Sequence, residues 1–269
     1  MTNHLFYAEP GALDAAASGE IVAISGGEAR HAVQVMRLEP GERVDLADGR
    51  GRRLTGVVTQ ASPQELSVRV EQVSHEPDPT PSLVLVQALA KGDRDLLAIQ
   101  TATELGIDAV VPWQAERSIV RWKGEKAAKA QAKWDAALHT AAKQARRSRI
   151  PVTRPLCVGT GVAALAAPDT LVLTLHEDAE ESLGAVLTRM LSTSAANPSP
   201  QMASGQPAAR PAEVILVVGP EGGISPQELE ALSRAGAHPV RLGHHVLRSS
   251  TAGPAATAVL QQLLGRWQS

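Results

Sequence analysis

Cysteine is almost absent from this 269-residue sequence: Cys157 stands alone. That excludes an internal disulfide framework and any cysteine-cluster metal site. Aromatic rings are scarce as well, with four tryptophans, one tyrosine and one phenylalanine. Recognition of RNA on a platform of stacked rings is therefore not expected. No apolar run reaches the roughly 18–20 residues that a membrane helix needs. The start, Met1-Thr2-Asn3-His4, has neither the basic patch nor the apolar stretch of a secretory leader. These absences point to a cytoplasmic protein. What the sequence does have is 43% hydrophobic and 20% charged residues, enough apolar surface to close a core and too much for wholesale disorder. The length suits two domains of about 100–200 residues each.

The net charge of −2 conceals an uneven distribution. Residues 1–73 sum to −3, residues 113–154 to +8, and the remainder to −7. A basic segment within a mildly acidic chain is either a polyanion contact or a solvated helix face.

Residues 1–73 read as β-rich, with short strands expected over 43–46, 54–58 and 66–73, and Asp48-Gly49 as a hairpin turn between two of them. A helix is expected over 28–38, stopped by Pro40-Gly41. This pattern suggests a small barrel. Pro77, Pro79 and Pro81 make residues 74–82 a stiff linker and the best boundary. Beyond it the period changes. Apolar runs at 83–88, 109–112, 171–175 and 214–218, broken only by Gln87 and Thr174, read as buried parallel strands. Helical spacing follows over 93–105, with Gly106 as its cap, and over the alanine-rich, lysine-rich stretch 123–147. Strands alternating with helices predict an α/β parallel sheet. Residues 192–212, with four prolines and few charges, read as a mobile insertion.

Three strand ends carry candidate chemistry. Val214-Ile215-Leu216-Val217-Val218 runs into Gly219-Pro220-Glu221-Gly222-Gly223-Ile224 and then Ser225-Pro226-Gln227-Glu228, a capping box. Strand, glycine loop and helix in that order place a ligand loop at the carboxyl end of a sheet, with Glu221 its one acidic side chain. No Lys-Ser/Thr follows the glycines, so this is no phosphate loop of the Walker type. The second loop, Leu242-Gly243-His244-His245-Val246-Leu247-Arg248, follows a strand expected over 239–242 and feeds a last helix ending near 264. Ser249, Ser250 or Thr251 is expected to cap that helix, with Pro254 in its first turn and Arg248 at an N-terminus that favours anions. Adjacent His244 and His245 lack spaced partner ligands, so no metal is expected. At the third strand end, Leu175-His176-Glu177, the acidic run through Glu181 is expected to occupy the first turn of the next helix. His176 and Glu177 stand at the strand end itself.

Gly219-Pro220-Glu221-Gly222-Gly223, followed by Leu242-Gly243 and Val246-Leu247-Arg248, resembles the bacterial 16S rRNA (uracil-N3)-methyltransferase family of the SPOUT superfamily. The likeness extends along nearly the whole chain. It takes in His31 with Val35-Met36-Arg37-Leu38, then Lys91, Glu104-Leu105-Gly106 and Arg117-Ser118, then Gln144, Arg146, Arg147 and Pro151. Lys143 and Ala145 stand where the family often has Glu and Ser, and Ser249-Ser250-Thr251-Ala252 where it often has Thr-Glu-Thr-Ala. The resemblance implies an N-terminal PUA-like β-barrel (1–73) and a C-terminal SPOUT α/β domain (83–269) with a trefoil knot. It also implies a homodimer and an S-adenosyl-L-methionine site made of Leu175, His176, Glu177, Val218, Gly219, Pro220, Glu221, Gly223, Leu242, Gly243, Val246 and Leu247. Its substrate would be 16S rRNA in the 30S subunit, bound by Arg30, His31, Arg37, Lys91, Arg117, Gln144, Arg146 and Arg147.

Because the sulfonium methyl is already activated, the protein must aim uracil N3 at it and deal with the N3 proton. Glu221 is the candidate for orientation or proton acceptance, and Arg248 for a phosphate or a uracil oxygen. Lys126, Lys129, Lys133, Arg149, Arg52 and Arg53 add positive charge for phosphates. Two other readings stay open on the same residues: a superfamily enzyme acting on another RNA, such as a tRNA ribose or base, and a non-catalytic RNA-binding assembly factor.

Overall fold

The computed structural model describes residues 3–195 and 211–268, and the chain divides into two units, Met1–Asp78 with His139–Ile150 and Pro79–Leu138 with Pro151–Ser269. Of the insertion expected over 192–212, residues 196–210 lie outside the described residues.

The first unit is built on β1 (His4–Tyr7), β2 (Ile21–Ser25), α1 (Gly26–Arg30), β3 (Arg43–Ala47), β4 (Arg52–Ala61) and β5 (Glu65–His75). The strands form one sheet in the order β1-β3-β4-β5-β2, antiparallel except where β1 lies beside β3. Register shifts at Thr55/Gly56 and Val58/Gln60 interrupt the β4–β5 ladder, and such irregularities bend a sheet. The curled sheet encloses Phe6, Leu13, Val44, Leu46, Leu54, Leu66 and Val68. Each large side chain so buried contributes about 1.5–3 kcal/mol. The Asp48-Gly49 turn is present, with Asp48 Oδ1 accepting from the Arg50 and Arg52 N–H groups at 2.6 and 3.0 Å.

The helix expected over 28–38 is shorter and starts earlier. It is α1 followed by one wider turn, His31–Val35, in which the Met36 N–H donates to the His31 carbonyl at 3.0 Å. Arg37, at φ 56°, ends it ahead of Pro40-Gly41.

Residues 139–150 complete the first unit. The Tyr7 hydroxyl donates to the Arg147 carbonyl at 2.7 Å, and Lys143 Nζ donates to both Glu28 oxygens at 2.7 Å. Burial pushes the Tyr7 phenol well above its ordinary pKa.

The second unit carries β6 (Ser82–Ala88), α2 (Arg94–Glu104), β7 (Ala109–Gln114), α3 (Glu125–Gln144, its last residues in the first unit), β8 (Val152–Thr153) and β9 (Cys157–Val158). It continues through β10 (Thr170–Leu175), α4 (Leu183–Ala195), β11 (Glu213–Val218), α5 (Pro226–Arg234), β12 (His238–Val240) and α6 (Ser249–Leu263). The sheet order is β12-β10-β11-β6-β7-β8, with β9 also beside β7, and every pair is parallel. The apolar runs follow from that architecture, since strands covered on both faces have no polar side. Leu83, Leu85, Val110 and Leu216 are all fully buried.

α6 lies tight on β6, where a Cβ on Gly253 would stand 3.0 Å from a Leu85 methyl. Gly106, at φ 97°, takes the left-handed turn after α2, and its carbonyl accepts from Gln261 Nε2 of α6 at 2.8 Å. Three local expectations are corrected. α4 starts at Leu183, so Glu177 to Glu181 precede it, and Glu181 pairs with Arg189 instead of capping the helix. α6 starts at Ser249, so Arg248 occupies its cap position and no side-chain hydroxyl caps it. Pro254 therefore falls inside the helix, beyond its first turn.

Candidate active site

The carboxyl ends of β10, β11 and β12 lie side by side because these strands are parallel and adjacent. In such sheets the loops leaving the carboxyl ends form the ligand crevice. Here they bound a cavity of about 530 Å³. Leu175, His176 and Glu177 line it from β10, and Val218, Gly219, Pro220, Glu221, Gly223 and Ile224 from β11. Arg241, Leu242, Gly243, His244, His245, Val246, Leu247 and Arg248 line it after β12, and Ser249 and Ala252 from α6. Every residue assigned from sequence to the cofactor, and both candidate catalytic residues, face this one space.

The β11 loop is shaped by its glycines. Gly223 sits at φ 75° and its N–H donates to the Pro220 carbonyl at 2.9 Å, closing a tight turn. A Cβ on Gly219 would stand 2.7 Å from Ile224 Cγ1, so only glycine lets the backbone run along the cavity wall there. The capping box expected at Ser225 is complete: its Oγ accepts from the Glu228 N–H at 3.3 Å, and Glu228 Oε2 accepts from the Ser225 N–H at 3.1 Å. The other Glu228 oxygen accepts from the Glu116 N–H at 2.7 Å, which fastens the segment after β7 to this loop. Arg117, in that segment, donates from Nη1 to the Gly222 carbonyl at 3.0 Å. Glu221 is paired with Arg94, Nη1 to Oε1 at 3.2 Å.

The other two loops are held through their backbones. The His176 N–H donates to the Val240 carbonyl at 3.0 Å, and His176 Nδ1 accepts from the Asp178 N–H at 3.2 Å. The Arg241 N–H donates to the Glu181 carbonyl at 2.9 Å, and Gly243 turns at φ 78°. Val246 is 81% exposed at the rim. Ser249 is buried, yet its Oγ has no partner among the described residues. Three guanidiniums (Arg94, Arg241, Arg248) and two carboxylates (Glu177, Glu221) border the cavity, which suits a ligand with both polar and anionic parts. Among the described residues no cluster of three or more His, Cys, Asp or Glu is placed to hold a metal ion.

The residues assigned to RNA divide between the units. Arg30, His31, Arg37, Gln144, Arg146 and Arg147 belong to the first; Lys91 and Arg117 belong to the second. Arg30, Arg37, Gln144 and Lys91 are exposed. Others are already engaged: Arg53 donates to the Arg146 carbonyl, Arg52 to the Ala16 carbonyl at 2.8 Å, and Lys133 pairs with Asp93 at 2.8 Å. Sequence reasoning passed over Arg94, Arg241 and Ser249. Arg94 had a signal, since Lys91-Gly92-Asp93-Arg94 is a charged glycine turn directly after a buried strand.

The family model described as an RNA methyltransferase domain matches residues 76–261, and that described as an RNA methyltransferase PUA domain matches residues 24–71. A relative named ribosomal RNA small subunit methyltransferase E, from Mycobacterium bovis, is 39% identical over 94% of this chain and 90% of its own length. Its namesake from Bacillus subtilis is 28% identical over 85% of each chain. Among solved structures, the ribosomal RNA small subunit methyltransferase E of Neisseria gonorrhoeae bound to S-adenosyl methionine is 26% identical, with TM-score 0.77, over 97% of this chain and 98% of that one. A putative methyltransferase from Legionella pneumophila in complex with SAM is 27% identical, with TM-score 0.76, over the same shares.

Proposed function

We propose that this chain, which belongs to the ribosomal RNA small subunit methyltransferase E family of RNA methyltransferases, transfers the methyl group of S-adenosylmethionine to N3 of a uridine in 16S rRNA. One observation carries the reading: three adjacent parallel strand ends, two of them running into glycine turns, converge on a single cavity with Glu221 and Arg248 at its border. The volume of about 530 Å³ falls in the range of small-molecule sites, roughly 300–1,000 Å³. The residues fit the donor. Glycine backbone forms the wall, and the buried Ser249 Oγ offers an unused hydrogen-bonding group. The β10, β11 and β12 loops would hold it between Leu175–Glu177, Val218–Gly223 and Leu242–Leu247. Bound there, it supplies an electrophilic methyl on a sulfonium.

The protein's own task is to orient the acceptor and handle its proton. Uracil N3 is protonated at neutral pH, so Glu221 takes that proton, and the Arg248 fork steadies the negative charge that develops on a uracil oxygen. The exposed basic residues of the first unit, with Lys91, position the rRNA through its phosphates. A homodimer, a knotted second unit and action on cytoplasmic 30S particles complete the proposal.

The decisive experiment compares 16S rRNA from a strain lacking this chain with rRNA from the complemented strain by nucleoside mass spectrometry. Loss and return of 3-methyluridine is the expected outcome. Unchanged 3-methyluridine sinks the reading, and loss of a different modification redirects it to another target. Transfer of labelled methyl to 30S particles and to free 16S rRNA then identifies the form of the substrate.

A further inference from the structure

The turn from β6 into α2 takes two consecutive left-handed residues, Gly92 at φ 65° and Asp93 at φ 57°. The next side chains leave it in three directions. The Asp93 carboxylate accepts from Lys133 Nζ at 2.8 Å. Asp95 turns inward, is buried, and accepts from the Leu96 N–H at 2.9 Å and the Ala90 N–H at 3.5 Å. Between these two fastened neighbours Arg94 reaches the cavity border and places Nη1 3.2 Å from Glu221 Oε1. Both side chains of that pair are substantially exposed, 47% and 37%, and pairs of this kind add little to stability. What the pair does provide is direction. It engages Oε1 and leaves Oε2 without a protein partner among the described residues.

We propose that Arg94 is a positioning residue for methyl transfer, holding the Glu221 carboxylate at the cavity border so that its second oxygen meets the N3 proton of the target uracil. The inference rests on the reading of Glu221 as proton acceptor. In the step it serves, the proton passes from N3 to Oε2 and the N3 electron pair forms the bond to the methyl carbon. The carbon–sulfur pair stays on sulfur as a neutral thioether. Arg94 keeps its charge throughout, so the total charge of the site is conserved. A carboxylate on a free side chain would sample many rotamers, and misplacement by about 1 Å costs up to roughly 100-fold in rate.

The test uses the full chain with 16S rRNA as substrate and four variants: Arg94→Gln, Arg94→Lys, Glu221→Gln and the double variant R94Q/E221Q. Arg94→Gln should lower kcat by on the order of 10–100-fold, with calorimetric affinity for S-adenosylmethionine held within about twofold. Arg94→Lys should restore part of the loss, and the double variant should be no slower than Glu221→Gln alone. The discriminating substrate is rRNA carrying 5-fluorouridine, whose N3 proton is more acidic. With it the deficit of Arg94→Gln should shrink by about tenfold, because less depends on the base. An equal deficit on both substrates, or a fall in cofactor affinity matching the fall in kcat, overturns the proposal and makes Arg94 a prop for the loop. A fully active Arg94→Gln beside an inactive Glu221→Gln overturns only the role of Arg94. A fully active Glu221→Gln overturns the proton-acceptor reading itself.

Discussion

Glu228 offers the sharpest test of how the ligand loop is held. Its carboxylate is 1% exposed and accepts two backbone N–H groups, from Ser225 at 3.1 Å and from Glu116 at 2.7 Å. Glu228→Ala removes both acceptors. A stranded buried donor costs about 1–3 kcal/mol, toward the upper end when the lost partner was charged. The Ser225 donor is buried and the Glu116 donor only partly so, which gives a loss of about 2–4 kcal/mol. In a chain of this size each kcal/mol moves the melting point by roughly 2–4 °C, so a fall of roughly 5–12 °C is expected. The four tryptophans (113, 122, 134 and 267) all belong to the second unit, so their fluorescence follows the unit that carries the substitution. Ser225→Ala is the internal control, since it removes the capping hydroxyl alone, worth about 1 kcal/mol. Glu228→Ala should also weaken cofactor binding, because the segment it releases carries Arg117, which holds the Gly222 carbonyl. A loss below about 1 kcal/mol with full cofactor affinity would refute the claim that the two loops are tied through this carboxylate.

Arg248→Ala should abolish methyl transfer while moving the melting temperature by less than about 2 °C, because its side chain is exposed at the cavity border; a large fall in thermal scanning would make it structural. Cys157 is half-buried and burial raises its thiol pKa, so alkylation by iodoacetamide near neutral pH should be slow and should speed up in urea. Rapid labelling of the folded chain would contradict this. Burial also raises the Asp95 pKa above its ordinary 3.8. For an acid so shifted, the folded chain binds more protons than the unfolded one, so stability from this group is full below the ordinary value and is lost as pH rises through the raised one. Asp95→Asn should therefore gain on the parent as pH rises from the ordinary value through the raised one in urea titrations. A constant difference would deny the ionisation cost.

Much of the second unit was legible because buried parallel strands leave an unmistakable mark. The runs around Leu85, Val111, Leu173 and Leu216 have no polar face, and each became a strand. The capping box at Ser225 was readable because its hydrogen bonds close within four residues. What failed to show depends on partners far along the chain. β1 is four residues long and pairs with β3 some forty residues later. The end of α3 looks like continuous helix, yet Tyr7 and Glu28 claim Arg147 and Lys143. Ser249, Ser250 and Thr251 all look like helix caps, but the chain enters α6 through Arg248. The β11 and β12 ends of the candidate site were marked by their glycines and the β10 end by His176-Glu177 directly after an apolar run, whereas Arg94 was overlooked because its partner lies 127 residues away.

The order of strands in the second sheet has a consequence for synthesis. β11 fills the gap between β10 and β6, and β10 finds its two neighbours only in β11 and β12. A ribosome that has emitted the first 212 residues has therefore exposed β10 with no strand to join and β6 with one edge open. Until the last fifth of the polypeptide emerges, two greasy ribbons wait for mates, and unpaired ribbons of this kind invite association with other chains. The crevice proposed for the methyl donor is thus among the final pieces to assemble, and a truncated product ending before Glu213 is expected to clump instead of binding weakly.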